Sequence, residues 1–348
     1  MKRLAIAAVS AACLASASRA AAQGSLSEQC AAAPSSARAT CYAVAQAATS
    51  AQPQVGIAIV GGNPTLGTAS TGGVHLGILP RVSGTLRVNA AFARLPDVLQ
   101  KQNGSGAGSP VDGKLSLPIP TVGATVTVGV FPGVSIAPTL GGVGAIDLMG
   151  TATLLPLGLA KGFDGASAVS WGGGVRVGLL RESFTMPGVS ATVTYRKLPT
   201  VRFGSVCPDG TAGVGPTETC AGGGNAGEAR FDLGDLSTRL AVSKRLLAIG
   251  FAAGVGYDRF RSDLAYAYRY SDPLGSGAAQ VRRGAATLKS GRTSAFANAS
   301  LNLLVASATA EVGWMRGGDP IAGYDASATG YDPRKGTPFA SLGIRLSL

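Results

Sequence analysis

The stretch "ASLGIRLSL", from Ala340 to Leu348, ends the chain and alternates strictly between apolar and polar positions. The even-numbered positions from Leu342 onward are apolar, whereas the odd-numbered ones are Ser, Gly or Arg345. This period of two predicts a β-strand with one apolar face. Chain termini fray unless another element holds them. We therefore expect this last strand to pair with another strand.

The composition favours a β-rich chain. Of 348 residues, 51 are Gly and only 14% are charged, against about 25% in average soluble domains. The mean hydropathy is +0.27, which is too high for a disordered chain. After the first residues no uninterrupted run approaches the roughly 20 apolar residues that a membrane-spanning helix needs. The apolar residues are instead spread along many short segments.

The first 22 residues have the pattern of a secretory signal peptide. A short basic start, "MKR", precedes an apolar run from Leu4 to Leu14, and three alanines precede Gln23. This pattern predicts export and cleavage near Gln23. The mature chain then has 27 basic and 18 acidic residues, a net charge of +9.

Cysteine usage agrees with export. Cys13 lies in the predicted signal peptide, and the other four form two pairs close in sequence, Cys30 with Cys41 and Cys207 with Cys220. In an oxidising compartment two local disulfides are the expected arrangement. We predict no metal site, because no C-x-x-C occurs and His75 is the sole histidine.

Alternation recurs from Val55 to the C-terminus, whereas 23–53 is rich in Ala, Ser and Gln with a helix predicted from Ser35 to Ala48. Short turns and long polar connections alternate along the chain, as in outer-membrane barrels. The pattern predicts twelve strands, near 54–60, 73–80, 82–95, 120–131, 134–155, 167–181, 188–203, 228–243, 246–270, 279–302, 305–316 and 336–348.

In these features the sequence resembles bacterial outer-membrane β-barrel proteins. The resemblance rests on the signal peptide, the alternating strands and the C-terminal strand Leu342–Leu348, although Leu348 stands where that family usually has an aromatic residue. It implies an all-β, transmembrane, antiparallel up-and-down barrel of about 12 strands, with 10 or 14 as alternatives. It also implies an outer-membrane location, recognition by the barrel assembly machinery, and contact with outer-membrane lipids.

The predicted organisation has three parts: a signal peptide at 1–22, a periplasmic or plug segment at 23–53, and the barrel at 54–348. If apolar positions face lipid, the alternate positions face the lumen. The predicted inward acids are Asp258 and Glu311, and the predicted inward basic residues are Arg81, Arg87, Arg176, Arg196, Arg239 and Arg345.

The leading function hypothesis is a passive or facilitated pore for small solutes, with a lumen biased toward anions by these arginines. The second is a non-conducting structural barrel that binds partners through its long connections, 204–227 and 317–335. A channel for hydrophobic substrates is third. We predict that the chain is not an enzyme and has no cofactor, because a catalytic triad needs a base and only His75 is present. Dispersed basic residues also argue against nucleic-acid binding.

Overall fold

The computed structural model describes residues 26–72, 74–75, 79–96, 114–136, 141–156, 163–164, 167–206, 227–271, 279–303, 305–317 and 335–347. Within these residues two helices come first, α1 (Leu26–Ala31) and α2 (Ser35–Val60). Strands β1 (Val74–His75) and β2 (Leu79–Pro80) pair with each other outside the main sheet.

In the described part of the chain ten further strands form the main sheet, and β6 (Phe163–Asp164) adds a short pairing to one of them. The ten strands are β3 (Val82–Pro96), β4 (Lys114–Phe131), β5 (Ala145–Leu155), β7 (Ala168–Leu180), β8 (Gly188–Val206), β9 (Gly227–Leu246), β10 (Ile249–Ser271), β11 (Ala279–Leu303), β12 (Ala306–Arg316) and β13 (Thr337–Ser347).

The sheet closes on itself through its first and last strands. Each of the ten strands is antiparallel to its neighbours in chain order, and β13 returns to pair with β3, with Leu342 opposite Val88 and Ile344 opposite Leu86. Closure leaves no unpaired sheet edge, which is the condition for a sheet in hydrocarbon. The alternating C-terminal stretch is therefore the strand that seals the barrel.

The prediction of twelve strands is wrong, and the alternative of ten is the one observed. Residues 54–60 are the last turns of α2, and the described residues of 73–80 form only the short paired strands β1 and β2. An apolar run as short as 54–60 fits a strand and a buried helix equally well. The strand predicted at 134–155 begins only at Ala145, because the described residues between Phe131 and Ala145 form no strand beyond a single bridge between Val134 and Val143.

Partway along the strands the outward face of the barrel wall changes from apolar to charged, and the inward face changes from charged to apolar. Strand β10 shows both changes. Its outward positions are apolar from Ile249 to Tyr257 and become charged at Arg259. Its inward positions change in the opposite sense, from the buried Asp258 to the buried Phe260. We call the outward apolar zone the apolar belt. In β10 it spans nine residues, which is close to the roughly 9–11 needed to cross a bilayer.

Candidate functional site: the filled lumen

Helix α2 lies inside the barrel. All residues from Ala51 to Gly67 are buried, and α2 contacts β3, β4, β5, β8, β9, β10 and β11. A helix buried on every side must be enclosed by other elements. A barrel of ten strands has a narrow interior, and the many Ala residues of α2 suit that space. Among the described residues, no helix is both long and apolar enough to cross a bilayer.

The half of the lumen farther from the short turns is apolar. Side chains from eight of the described strands form one buried cluster with α2, and they include Phe231, Phe260, Phe296 and Phe339. The helix approaches the wall closely at Gly56, where an added Cβ would lie 2.5 Å from the Phe260 ring. Glycine is therefore required at this point of the helix by the position of the Phe260 ring.

Polar side chains of α2 are matched by the wall. The Gln52 amide donates to Ser262 Oγ and to the Leu288 carbonyl, both at 3.1 Å, and its Oε1 accepts a hydrogen bond from Ser290 Oγ at 3.1 Å. Thr121 Oγ1 donates to the Ala58 carbonyl at 2.9 Å. These bonds satisfy polar groups that would otherwise be costly to bury.

Two arginines hold the C-terminal end of α2. Arg87 donates to the Val60 carbonyl at 2.9 Å and to the Asn63 carbonyl at 3.1 Å. Arg239 donates to the carbonyls of Gly62 at 3.2 Å and Gly61 at 3.4 Å. The C-terminal end of a helix carries partial negative charge, so buried guanidinium groups are well matched to it. Both arginines act here as anchors for the segment in the lumen.

The segment after the helix depends on two adjacent glycines. Gly61 has φ 62°, in the left-handed region. An added Cβ on Gly62 would lie 2.4 Å from Glu311 Oε1. Glu311 Oε2 accepts hydrogen bonds from the Asn63 backbone N–H at 3.0 Å and from the Asn298 amide at 3.2 Å. The glycines thus let the chain pass between Arg87 and Glu311.

Three of the predicted lumen arginines form ion pairs within the wall. Arg176 lies 2.6 Å from Asp147, and Asp147 also accepts the Gly72 backbone N–H. Each of these arginines and its partner is at most 4% exposed. The other two pairs are Arg239 with Asp258 at 2.8 Å and Arg196 with Asp235 at 3.6 Å.

The remaining two predicted arginines lie elsewhere, at the end of the barrel that carries the short turns. Arg345 donates to the Leu66 carbonyl at 3.4 Å, and Arg81 is exposed. Both line a cavity of about 300 Å³. The sequence did not reveal three other basic residues of this cavity, because they lie in or beside turns where alternation assigns no face: Arg181, Lys244 and Arg245.

Helix α1 lies at the opposite end, against the part of the β10–β11 hairpin that extends beyond the apolar belt. Tyr266 Oη donates to Gln29 Oε1 at 2.6 Å, and the Gln29 amide donates to the Ala285 carbonyl at 3.1 Å. Burial raises the pKa of the Tyr266 phenol, and the neighbouring Tyr268 adds to this effect. A disulfide joins Cys30 to Cys41 with 5.4 Å between the Cα atoms, so it links α1 to α2.

Several predictions fall outside the described residues. These are the signal peptide at 1–22, the Cys207–Cys220 pair, Leu348, the side chain of His75 and most of 204–227 and 317–335. They stay predictions.

The closed antiparallel barrel and its outward apolar belt define the class of this protein, an outer-membrane β-barrel. No family model matches the chain, and no curated protein matches it. Among solved structures it is similar to the outer membrane protease OmpT from Escherichia coli, with a TM-score of 0.35, 11% identity, and coverage of 77% of this chain and 96% of that one.

Two autotransporter structures are also similar to this chain. For the translocator domain of NalP from Neisseria meningitidis the TM-score is 0.29 and the identity 11%, with coverage of 88% of this chain and 97% of that one. For the β domain of the Bordetella autotransporter BrkA the TM-score is 0.31 and the identity 11%, with coverage of 76% and 98%.

Proposed function

We propose that this protein is a plugged, non-conducting outer-membrane barrel. It acts at the cell surface through its long connections and through its disulfide-linked N-terminal segment. The observation that carries the proposal is the enclosure of α2 in the lumen, with its last carbonyls bound by Arg87 and Arg239. A pore of this width would have to share its lumen with a helix.

The charges of the lumen support this proposal over an open anion pore. Wall charge biases a pore when it faces mobile ions. Here Arg176, Arg196 and Arg239 face wall carboxylates, and Arg87 faces the end of α2. Most of the predicted positive charge is thus used to hold the interior together.

The placement of α1 supports a role at the surface. Outer-membrane barrels have short periplasmic turns and long extracellular connections. By this rule the projecting β10–β11 hairpin and the α1 segment bound to it face outward. The disulfide between Cys30 and Cys41 would hold that segment in one conformation for a partner.

Planar-bilayer conductance of the purified, refolded protein tests the proposal, with two matched variants. R87M removes the two hydrogen bonds to the segment in the lumen, whereas R196M removes a buried arginine that pairs with Asp235 of the wall. Hydrogen bonds to charged groups contribute about 1.5–3 kcal/mol each. Losing two of them would raise the open population by about 10²- to 10⁴-fold.

We expect the wild type and R196M to be silent and R87M to open intermittently, with heat-modifiable gel migration confirming that all three are folded. Steady conductance of the folded wild type would overturn the proposal and would support an open pore instead.

A second candidate, a gated path for small anions, is favoured by the basic cavity around Arg81 and Arg345 at the periplasmic end. If R87M conducts, its reversal potential in a salt gradient decides this point. Anion selectivity that R345M abolishes would support the gated path, and unselective openings would count against it.

A further inference from the structure

Four outward-facing basic side chains meet just beyond the apolar belt. The β-sheet register places Lys197 of β8 opposite Gly234 of β9, Gly234 opposite Arg261 of β10, and Arg261 opposite Lys289 of β11. These residues therefore form one row across four strands. Arg259 lies on the same face of β10, two residues nearer the belt. The four basic side chains are exposed.

The row marks the limit of the apolar belt on three of its strands, β8, β9 and β10. On β8 the outward position before Lys197 is the exposed Tyr195, and on β9 the one beyond Gly234 is the exposed Leu236. On β10 the belt ends at Tyr257. On β8 and β10 the outward face thus changes from apolar to basic at neighbouring places. A group bound there would lie where the hydrocarbon of a membrane gives way to its headgroups.

The charge of this region is not balanced by the protein. Two acids, Asp232 and Asp263, lie beside the row. Asp232 Oδ1 accepts the Asp263 backbone N–H at 2.8 Å, and Asp263 Oδ1 accepts a hydrogen bond from Thr287 Oγ1 at 2.9 Å. Within the described part of the chain, no carboxylate lies within ion-pair distance of Lys197, Arg259, Arg261 or Lys289.

A gap in the row makes room for a ligand. Gly234 has no side chain, and an added Cβ there would lie 3.3 Å from the Tyr195 hydroxyl. The basic side chains, Tyr195 and the two acids surround a depression of about 470 Å³ at this point, which we call the basic depression. Tyr195 Oη can donate a hydrogen bond into it, and the four cations surround it on three strands.

We propose that the basic depression binds the phosphate group of an amphiphile in the adjoining membrane leaflet. Guanidinium and ammonium groups recognise phosphate oxygens by charge-assisted hydrogen bonds. Leu236 and Tyr257 on the belt side would contact the acyl chains of the same molecule, because they continue the apolar surface below the cations. The ligand is thus a lipid with an anionic phosphate headgroup, held by its headgroup and by its chains.

Native mass spectrometry of the folded protein in detergent micelles tests this proposal, with phosphatidic acid as the probe. Phosphatidylcholine serves as the zwitterionic comparison, and glycerol phosphate supplies the headgroup without chains. R261Q/K289Q removes two cations of the row. R283Q is the matched control, since Arg283 is exposed on the same strand but about 20 Å farther from the belt at about 3.4 Å per residue. G234V fills the gap without a change of charge.

We expect R261Q/K289Q to bind phosphatidic acid about 30-fold more weakly than the wild type, since each cation near an anionic surface contributes about a factor of five. R283Q should bind like the wild type, and G234V should bind more weakly. Equal binding by R261Q/K289Q and the wild type would overturn the proposal. So would a wild type that prefers phosphatidylcholine. Competition by glycerol phosphate at the same concentration as the lipid would show a site for free phosphate and overturn the assignment to a lipid.

Discussion

The contact between Gly56 and Phe260 offers a direct test of whether α2 occupies the lumen in solution. Gly56 belongs to the helix and Phe260 to the barrel wall, and both are fully enclosed. An added Cβ at Gly56 would lie 2.5 to 2.8 Å from three ring atoms of Phe260. The perturbation is therefore G56V, studied alone and together with F260A.

The expected magnitudes follow from this geometry. A Val side chain at 56 must displace the ring by about 1 Å, and overpacking of this kind costs about 1–3 kcal/mol. F260A alone leaves a cavity at a fully buried site and should cost about 3–5 kcal/mol. In the double variant the Val methyl groups enter the space that the ring vacates. We therefore expect the double variant to be about 2 kcal/mol more stable than the sum of the single effects.

Urea unfolding of the protein in lipid vesicles measures these effects, with the fluorescence of Trp171 and Trp314 on the outer wall as the signal. G150V is the matched control, because Gly150 is exposed on the wall and an added Cβ there meets nothing within 4 Å. We expect G150V to change stability by less than about 0.5 kcal/mol. If G56V and F260A prove additive within about 0.5 kcal/mol, the helix does not lie against Phe260 and the enclosure of α2 is refuted.

Two further predictions concern the ion pair of Arg176 with Asp147 and the disulfide between Cys30 and Cys41. D147N leaves Arg176 buried without its counter-charge and should lower the unfolding free energy by about 3–5 kcal/mol, measured by the midpoint of urea unfolding. The double variant D147L/R176M should recover most of this loss. If it does not, the pair is needed for more than charge balance. The disulfide closes an 11-residue loop, and a cross-link of this length stabilises the folded state by about 3 kcal/mol. In C30S/C41S we therefore expect hydrogen exchange to accelerate in α1 and to remain unchanged in β13. Unchanged exchange in α1 would show that the disulfide does not order this helix.

Most of the wall could be predicted from the sequence, because alternation fixes both the strand and the face of each residue. All ten barrel strands correspond to predicted ones, and the inward positions of Arg87 and Arg239 follow from the same pattern. The partners of these arginines could not be predicted. Alternation says which way a side chain points, whereas the carbonyls that Arg87 and Arg239 bind belong to a segment whose position depends on the closed barrel.

The helix itself was the harder case. Its last turns, "QVGIAIV" at 54–60, carry no helical periodicity, because a helix surrounded by protein on every side has no polar face to reveal it. The useful signal was the "GG" that follows at Gly61 and Gly62. An adjacent glycine pair after an apolar run can mark a helix end as well as a turn between strands. Only the close approach of Arg87 and Glu311 decides between the two.

The change of polarity on both faces of β10 explains why the segment in the lumen has one fixed position along the barrel axis. Below the level of Asp258 the outside of the wall meets hydrocarbon and the inside is ionic; above Phe260 the outside is charged and the inside is apolar. The apolar helix matches the upper interior, and the polar segment after Gly61 matches the lower one. A slide of one helical turn, about 5.4 Å, would carry the carbonyls of Val60 and Gly61 away from Arg87 and Arg239 and leave the buried Arg87 without its hydrogen-bond partners. Buried ionic groups contribute modestly to net stability but penalise wrong arrangements strongly. The lower half of the lumen therefore fixes the position of α2 and of the segment that follows it, and the upper half supplies most of their apolar contacts.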